Sequence, residues 1–337
     1  MSDNRIPLNN EYFDAKPTER DLYYCYRLIL GRNPDSAGWT GWTTAMREGH
    51  TPLDIVVFGF LCSPEFQSRR KNYPALPESD KEVNLKAVDA QGFQLYVAPG
   101  DWDIGKSISE NHTWEPPMTA ALQKHLRQGM VFLDIGANIG YFTMLAAQAV
   151  GPSGQVFSFE ASQANASLIY LSARLNKFDN VHIFPFALAS SRGTWVYESF
   201  SSNGRLVPFD ANFQLLPGRT LVYAMPLDGL LHDQKRVDVI KIDIEGAEYM
   251  ALEGAKELLR RCRPVIFSEF SPFQLKSTSG KSGRDYLELL RSLNYDICLL
   301  SHTGETSSVR GDAQQVLNAY DQQEGSLIDI VAVPRHG

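Results

Sequence analysis

The sequence predicts an α/β protein: a Rossmann-like sheet, mostly parallel with an antiparallel last strand, behind a small N-terminal all-α unit. Three observations predict it. From about residue 130 onward, short apolar runs take turns with helical segments, the alternation that a doubly wound sheet requires. Within that region Val131-Phe132-Leu133-Asp134-Ile135-Gly136-Ala137-Asn138-Ile139-Gly140 runs from an apolar strand through two glycines into a helix. Residues 18 to 70, by contrast, carry apolar side chains at helical spacing.

The helical unit comes first. Thr18 suits the cap of a helix with Leu22, Tyr23, Tyr26, Ile29 and Leu30 on one face. Gly31-Arg32-Asn33-Pro34-Asp35 stops it and opens a second helix bearing Trp39, Trp42 and Met46. Thr51-Pro52 begins a third with Ile55, Val56, Phe58, Phe60 and Leu61, and Ser63-Pro64-Glu65 a last short one. Apolar residues at this spacing face a core, so the Trp and Tyr residues read as packing and not as a glycan-stacking platform. The unit is placed at 1–72, and 73–81, with Pro74 and Pro77, has linker composition.

The larger domain is placed at 82–337. Residues 83–88 and 93–97 alternate around Asp89-Ala90-Gln91-Gly92 and predict a hairpin. Strands are expected near 130–135, 155–160, 181–186, 237–243, 264–270, 294–300 and 327–333. Helices are expected near 115–128, 139–150, 162–176, 246–260 and 283–292. The last strand lacks a preceding helix long enough for a crossover, which predicts antiparallel insertion. Residues 200–225, with Gly204, Pro208, Pro217 and Gly218, show no clear period and predict an active-site flap or an irregular insertion.

Composition narrows the functions. A chain of 337 residues with net charge −7 has no basic surface to track phosphates, which argues against nucleic acid as a partner. Cys25, Cys62, Cys262 and Cys298 form no CxxC pair, and this fits a reducing compartment. No apolar leader follows Met1, and no run of 18 apolar residues occurs, so a cytoplasmic protein without a transmembrane segment is expected. No heptad seam signals assembly, and a homodimer stays an open expectation.

The acid before the glycine turn selects the ligand. Asp134 stands where a dinucleotide would bring its pyrophosphate, and a carboxylate repels that group. It suits a cation, such as the ammonium and sulfonium of S-adenosylmethionine. Gly136 and Gly140 would let backbone approach the ligand and the helix approach the strand, while Asn138 tolerates an unusual turn. Glu160 ends the next strand, where a carboxylate can accept both ribose hydroxyls; its alternative is helix capping. Asp243-Ile244-Glu245-Gly246-Ala247-Glu248 comes after another apolar strand, at a carboxyl edge of the sheet. Three readings compete there. Asp243 could be a general base, Asp243 and Glu245 could hold Mg²⁺, or the acids could order a loop and helix N-terminus. Glu269, ending a further strand, could line an acceptor pocket or cap the segment after it. His112 and His302 are weak candidates as bases, since a lone loop histidine is usually polar surface.

Several spaced motifs resemble the FkbM family of S-adenosylmethionine-dependent methyltransferases. They are Leu133-Asp134-Ile135-Gly136-Ala137-Asn138-Ile139-Gly140-Tyr141-Phe142-Thr143, Phe159-Glu160-Ala161, Ile240 to Glu248, and Trp114-Glu115-Pro116. The resemblance spans roughly 85–335. It implies the class I methyltransferase fold and S-adenosylmethionine as donor, held by Glu115, Asp134, Gly136, Ala137, Asn138, Gly140, Tyr141, Glu160, Ala161 and Ala187. It also implies an acceptor oxygen, most often on a sugar, polyketide or glycolipid. The expected acceptor is a glycan, a glycolipid or a small molecule, with Asp243, Glu245 and Glu269 at the chemistry. One departure is Ala161-Ser162, where the family usually has a proline after the acid. Residues 26–66, through Tyr26-Arg27-Leu28-Ile29-Leu30-Gly31-Arg32, Pro34-Asp35, Gly38, Trp42 and Ser63-Pro64-Glu65-Phe66, resemble the DUF4214 module, which implies an accessory role. The rivals are an NAD-dependent oxidoreductase, disfavoured by Asp134 and by GxNxG in place of GxGxxG, and a non-catalytic scaffold.

Overall fold

The computed structural model describes residues 19–26, 30, 32–48, 56, 60, 63, 65, 85–98, 100–207, 218–308, 313–323 and 327–335. The chain divides into two compact units, Met1–Glu82 and Val83–Gly337.

The first unit contains α1 (Glu19–Tyr24) and α2 (Ser36–Glu48). Leu22, Cys25, Tyr26, Leu30, Val56 and Phe60 form its core, with Trp39, Trp42 and Met46 packed against them. Trp42 stacks on Phe60 at 5.3 Å, and Tyr26 meets the same ring edge-on at 4.7 Å. These aromatics therefore do the packing that their spacing predicts. Arg32 grips Glu65 through two bonds of 2.6 and 2.7 Å and lies over the Tyr26 ring, which ties the two ends of the unit together. The expected Thr18 cap, most of the third and fourth helices, the 73–81 linker and Cys62 fall outside the described residues.

The second unit opens with β1 (Lys86–Ala90) and β2 (Phe93–Val97), joined by Gln91-Gly92. Both turn residues have positive φ, 48° and 89°, as a two-residue hairpin loop demands. Next come α3 (Ile104–Asn111), α4 (Pro116–His125), β3 (Val131–Ile135), α5 (Tyr141–Val150), β4 (Gln155–Phe159), α6 (Gln163–Asn176) and β5 (Val181–Phe184). After them lie β6 (Ala187–Leu188), β7 (Gly193–Phe200), β8 (Asn203–Val207), β9 (Arg219–Met225), α7 (Leu227–Leu230) and β10 (Val239–Ile242). The remainder is α8 (Glu248–Glu253), α9 (Lys256–Cys262), β11 (Val265–Phe270), α10 (Pro272–Thr278), α11 (Gly283–Ser292), β12 (Tyr295–Leu300), β13 (Thr306–Ser308), α12 (Ala313–Gln322) and β14 (Ile328–Pro334).

Eight strands form the main sheet in the order β13-β12-β14-β11-β10-β3-β4-β5. From β11 to β5 the pairs are parallel, while β14 runs antiparallel between β11 and β12. β3, β4 and β10 read as largely apolar runs because helices cover both faces, and nearly all of their residues are buried, Asp134, Ser158 and Lys241 included. The chain builds outward from β3 through β4 and β5, then returns to place β10 on the other side of β3. That reversal opens a crevice at the carboxyl ends of β3 and β10, the usual ligand position in such sheets.

Four expectations need correction. The segment 200–225 is not irregular where it is described: 203–207 and 219–225 are strands that with β6 and β7 build a second sheet, β6-β9-β7-β8. Trp195, Val196 and Tyr197 carry that strand signal, and residues 208–217 lie outside the described set. The helix expected over 246–260 breaks at Gly254-Ala255 into α8 and α9. A Cβ at Gly254 would overlap the Ala189 carbonyl, so tight packing dictates both glycine and break. α12 does precede the last strand, yet β14 still inserts antiparallel, because the β12–β13 hairpin first reverses the chain, so that β14 runs in the direction of β13 and against β12 and β11. α3 and β13 were not anticipated. No helix among the described residues is long and apolar enough to cross a membrane, and Cys25, Cys262 and Cys298 are free thiols.

Candidate active site

The turn after β3 builds the first wall of a cavity of about 280 Å³. Gly136, Asn138 and Gly140 have φ of 81°, 50° and 96°, a left-handed run that glycine and asparagine tolerate. Their placement corrects the reason assigned to the glycines. A Cβ at Gly136 would overlap the Asp243 carbonyl and stand 2.7 Å from Ile244, so this glycine admits the β10 loop. A Cβ at Gly140 would meet Ile169 of α6 at 3.0 Å, so that glycine serves helix packing and does not line the cavity.

Glu160 leaves β4 and is held from two sides. The Asn138 N–H donates to one carboxylate oxygen at 2.8 Å and the Ser162 N–H to the other at 2.7 Å. Burial pushes its carboxyl up to about 7 against those donors. The capping role falls to Ser162, whose hydroxyl accepts from Asn165 N–H.

Asp134 is not in the wall. It is fully buried, with Thr143 Oγ1 donating to Oδ2 at 2.6 Å, while Oδ1 has no partner. The expected direct contact with a ligand is thus corrected: strand alternation turns Asp134 away and leaves Ile135 facing the cavity. Its neighbour in register is Lys241 of β10, which the sequence reading missed.

Lys241 is the centre of the site's electrostatics. Only 3% exposed, its ammonium lies 3.0 Å from Asp243 Oδ2 and 4.8 Å from the Phe142 ring centre. Burial alone would lower it, but Asp243, Glu115 and Asp134 together hold it above the ordinary lysine range. Its signal was a lone charge inside Val239-Ile240-Lys241-Ile242, a strand buried at every position.

Carboxylates surround that ammonium. Glu115 precedes α4 with φ 40° and ψ 70°; burial pushes it up to about 8, with Lys241 opposing. Glu245 is left-handed too, at φ 54°. The Gln274 amide donates to its carboxylate and Thr278 Oγ1 to its carbonyl, and burial raises it to about 7, reinforced by Asp243. Glu269, on β11, is raised well above the carboxylate range by burial and then by Asp243 and Glu245. Three non-glycine residues on one cavity wall, Glu115, Asn138 and Glu245, thus hold strained backbone, a concentration found at ligand sites.

The loop-ordering role expected for Asp243 belongs to Glu248, whose Oε1 accepts from the N–H groups of Ile244 and Gly246 at 2.9 and 3.2 Å. The Mg²⁺ alternative is not supported. Lys241 supplies the cation beside Asp243, the Gln274 amide engages Glu245, and no metal-binding group of three His, Cys, Asp or Glu occurs among the described residues. His112 bonds the Asp89 carbonyl through Nδ1, and His302 is exposed in a turn. Neither lines the cavity.

Of the residues singled out in the sequence, Glu115, Gly136, Ala137, Asn138, Tyr141, Glu160, Ala161, Ala187, Asp243, Glu245 and Glu269 converge on this one cavity. The second sheet supplies a further wall with Tyr197, Asn203, Gly204 and Leu206. Asn138 Nδ2 donates to Asn203 Oδ1 at 2.7 Å, Asn203 Nδ2 to Asp103 at 2.8 Å, and Asn165 Nδ2 to the Ser202 carbonyl at 2.7 Å. The β7–β8 turn is thereby fastened to the glycine turn.

Residues 134–297 match the model of the Methyltransferase FkbM domain. This segment is an FkbM methyltransferase domain. Residues 9–70 match the domain of unknown function DUF4214. No curated protein matches the sequence. Among solved structures, the chain is similar to an FkbM methyltransferase from Methylobacillus flagellatus KT, with 16% identity and a TM-score of 0.40 over 93% of this chain; it spans 59% of that protein's length. It is similar to a SAM-dependent O-methyltransferase from Thermotoga maritima, with 14% identity, a TM-score of 0.36, and coverage of 75% of this chain and 79% of that one. It also resembles fibrillarin from Aeropyrum pernix, in complex with S-adenosyl-L-methionine, with 12% identity, a TM-score of 0.37, and coverage of 74% and 83%. The FkbM assignment leaves the oxidoreductase rival without support.

Proposed function

We propose that the FkbM domain transfers a methyl group from S-adenosylmethionine to a hydroxyl oxygen of a sugar on a glycan, glycolipid or related metabolite. The observation that carries this reading is one cavity with the Glu160 turn on one wall and Asp243, Glu245 and Glu269 on another. The residues fit the donor. Glu160, pinned by two backbone N–H groups, keeps lone pairs for a ribose diol. Phe159, Phe186 and Leu188 offer an apolar wall for a purine. Glu115 lines the same cavity, and Asp134, held by the Thr143 hydroxyl, lies behind its wall. Bound there, S-adenosylmethionine supplies a methyl group already activated by sulfonium.

The chain's own residues then have three tasks. The glycine turn and the Asn138–Asn203 bond hold the cavity's shape, so acceptor and donor meet in line. Ile104, Trp114 and Leu206 limit access of water. Asp243, fixed by the Lys241 ammonium, accepts the proton of the acceptor hydroxyl at a carboxylate oxygen.

Calorimetry with S-adenosylhomocysteine and with NADH tests the donor, and tritiated methyl transfer into cell-derived carbohydrate tests the acceptor. Binding of the former nucleoside alone, with label recovered as an O-methyl sugar, is the expected result. Binding of NADH, or label only on nitrogen or protein, would reject the reading.

A further inference from the structure

The second sheet puts one buried phenol into the cavity wall, outside every motif that the sequence singled out. Tyr197 lies on β7, opposite Leu206 of β8 in register, and is 7% exposed. Ala187, Ala224, Ala247 and Met250 share its apolar cluster and fix the ring. The tip of the ring meets something else. A Cβ at Gly204 would stand 2.4 Å from Tyr197 Cζ and 2.5 Å from its Oη, so the bare glycine makes room for the hydroxyl end. Gly204 itself lines the cavity, which brings that end to the wall. Two bonds fix where along the wall. Gly204 follows Asn203, whose Oδ1 accepts from Asn138 Nδ2 at 2.7 Å, and the Asn138 N–H donates to Glu160 at 2.8 Å. Burial, then Glu160, then Glu245 push the phenol's ionisation upward, so it stays a neutral O–H near the Glu160 carboxylate.

That hydroxyl has nothing to bond. Tyr141 Oη has Thr113 and Thr119 at 3.1 and 3.3 Å, and Tyr286 Oη has Ser268 at 2.8 Å. No hydrogen bond joins Tyr197 Oη to any described residue. A buried phenol in this condition costs stability until a ligand bonds it. A ribose diol supplies the match. Its O–H groups donate to Glu160, which only accepts, and its oxygens then need a donor. A neutral phenol is such a donor, whereas a second carboxylate would not be.

We propose that Tyr197 is a donor-binding residue, whose O–H completes the ribose site by donating to a hydroxyl oxygen of the S-adenosylmethionine ribose held by Glu160. The inference rests on the methyltransferase reading and adds to it a residue from the second sheet. Calorimetry and thermal melting of the full chain and of Tyr197→Phe test it, with S-adenosylhomocysteine and its 2′-deoxy and 3′-deoxy analogues as probes. Loss of one hydrogen bond should weaken S-adenosylhomocysteine binding about three- to tenfold. The same substitution should change nothing against the analogue that lacks the bonded hydroxyl. Without ligand the variant should melt no lower than the parent, because an unmatched hydroxyl has gone; a merely structural tyrosine would lower the melting point. Unchanged S-adenosylhomocysteine affinity, an undiminished loss against both deoxy analogues, or a ligand-free melting point below the parent's would each overturn the assignment. The first of these with a raised KM for the acceptor would move the phenol to the acceptor's side. A parent that fails to bind S-adenosylhomocysteine would strike the donor reading, and this inference with it, so the two failures are distinguishable.

Discussion

Asp243 and Lys241 form the pair on which the proposed methyl transfer turns, and they make separable predictions. Asp243→Asn keeps shape but removes a proton acceptor, so kcat should fall by roughly 100-fold or more. Donor affinity, read by calorimetry with S-adenosylhomocysteine, should shift less than threefold. Equal losses in both would make Asp243 a donor-binding group. Lys241→Met leaves Asp243, Glu115 and Asp134 without their shared counter-charge in a buried site. Urea unfolding should show a loss of about 3–5 kcal/mol, and a variant as stable as the parent would refute the network. At this scale the sequence was legible wherever a residue ended a strand. Glu160, Asp243 and Glu269 were placed by that rule alone. It failed for Asp134, because side-chain direction in a strand depends on one residue of register, and for Lys241, because a single charge in an apolar run looks like noise.

The elements around the cavity are held by a few bonds between segments far apart in sequence. The β7–β8 turn reaches the glycine turn through Asn203, and Asn203→Ala removes its links to both Asn138 and Asp103. The turn should loosen, weakening S-adenosylhomocysteine binding by about fivefold, as one or two lost hydrogen bonds imply. Unaltered affinity would mean that the turn stays put without them. Gly136→Val acts on the β10 loop: its side chain would push away the Asp243 carbonyl and Ile244, so turnover should drop at least as much as donor binding. Kinetics and calorimetry on the same preparation separate the two. The parallel strands and their helices were readable because burial on both faces leaves continuous apolar runs. The second sheet was not, since its strands are only partly buried, Gly204 lies inside one of them, and Pro208 and Pro217 stand between two of them in sequence, which mimics a loop.

For the whole domain the clustered acids set a pH dependence. Glu115 stands at about 8, and Glu160, Glu245 and Glu248 at about 7, against an ordinary value of 4.5. A raised carboxyl binds its proton more tightly when folded. The native state therefore holds more protons than the unfolded chain from about pH 4.5 to 8, and stability falls as pH rises through that window. Glu115→Gln mimics the protonated form. It should melt with the parent at pH 4 and about 2–4 °C above it at pH 8.5, by scanning fluorimetry. A variant less stable than the parent at pH 8.5 would show that the ionised form is the favoured one. The succession of strands and helices can be read from the alternation of apolar runs, but this convergence of charge cannot, because three separate segments contribute it.

The seat of β14 has a consequence for biosynthesis. This strand is later in the chain than every other member of the main sheet, yet it occupies an interior place between β11 and β12, and Leu327, immediately before it, lines the cavity. While the polypeptide is emerging from the ribosome, β11 must wait with an open flank, a sticky template for stray chains. Completion of the main sheet then arrives in a single late event, when that missing slat slides home.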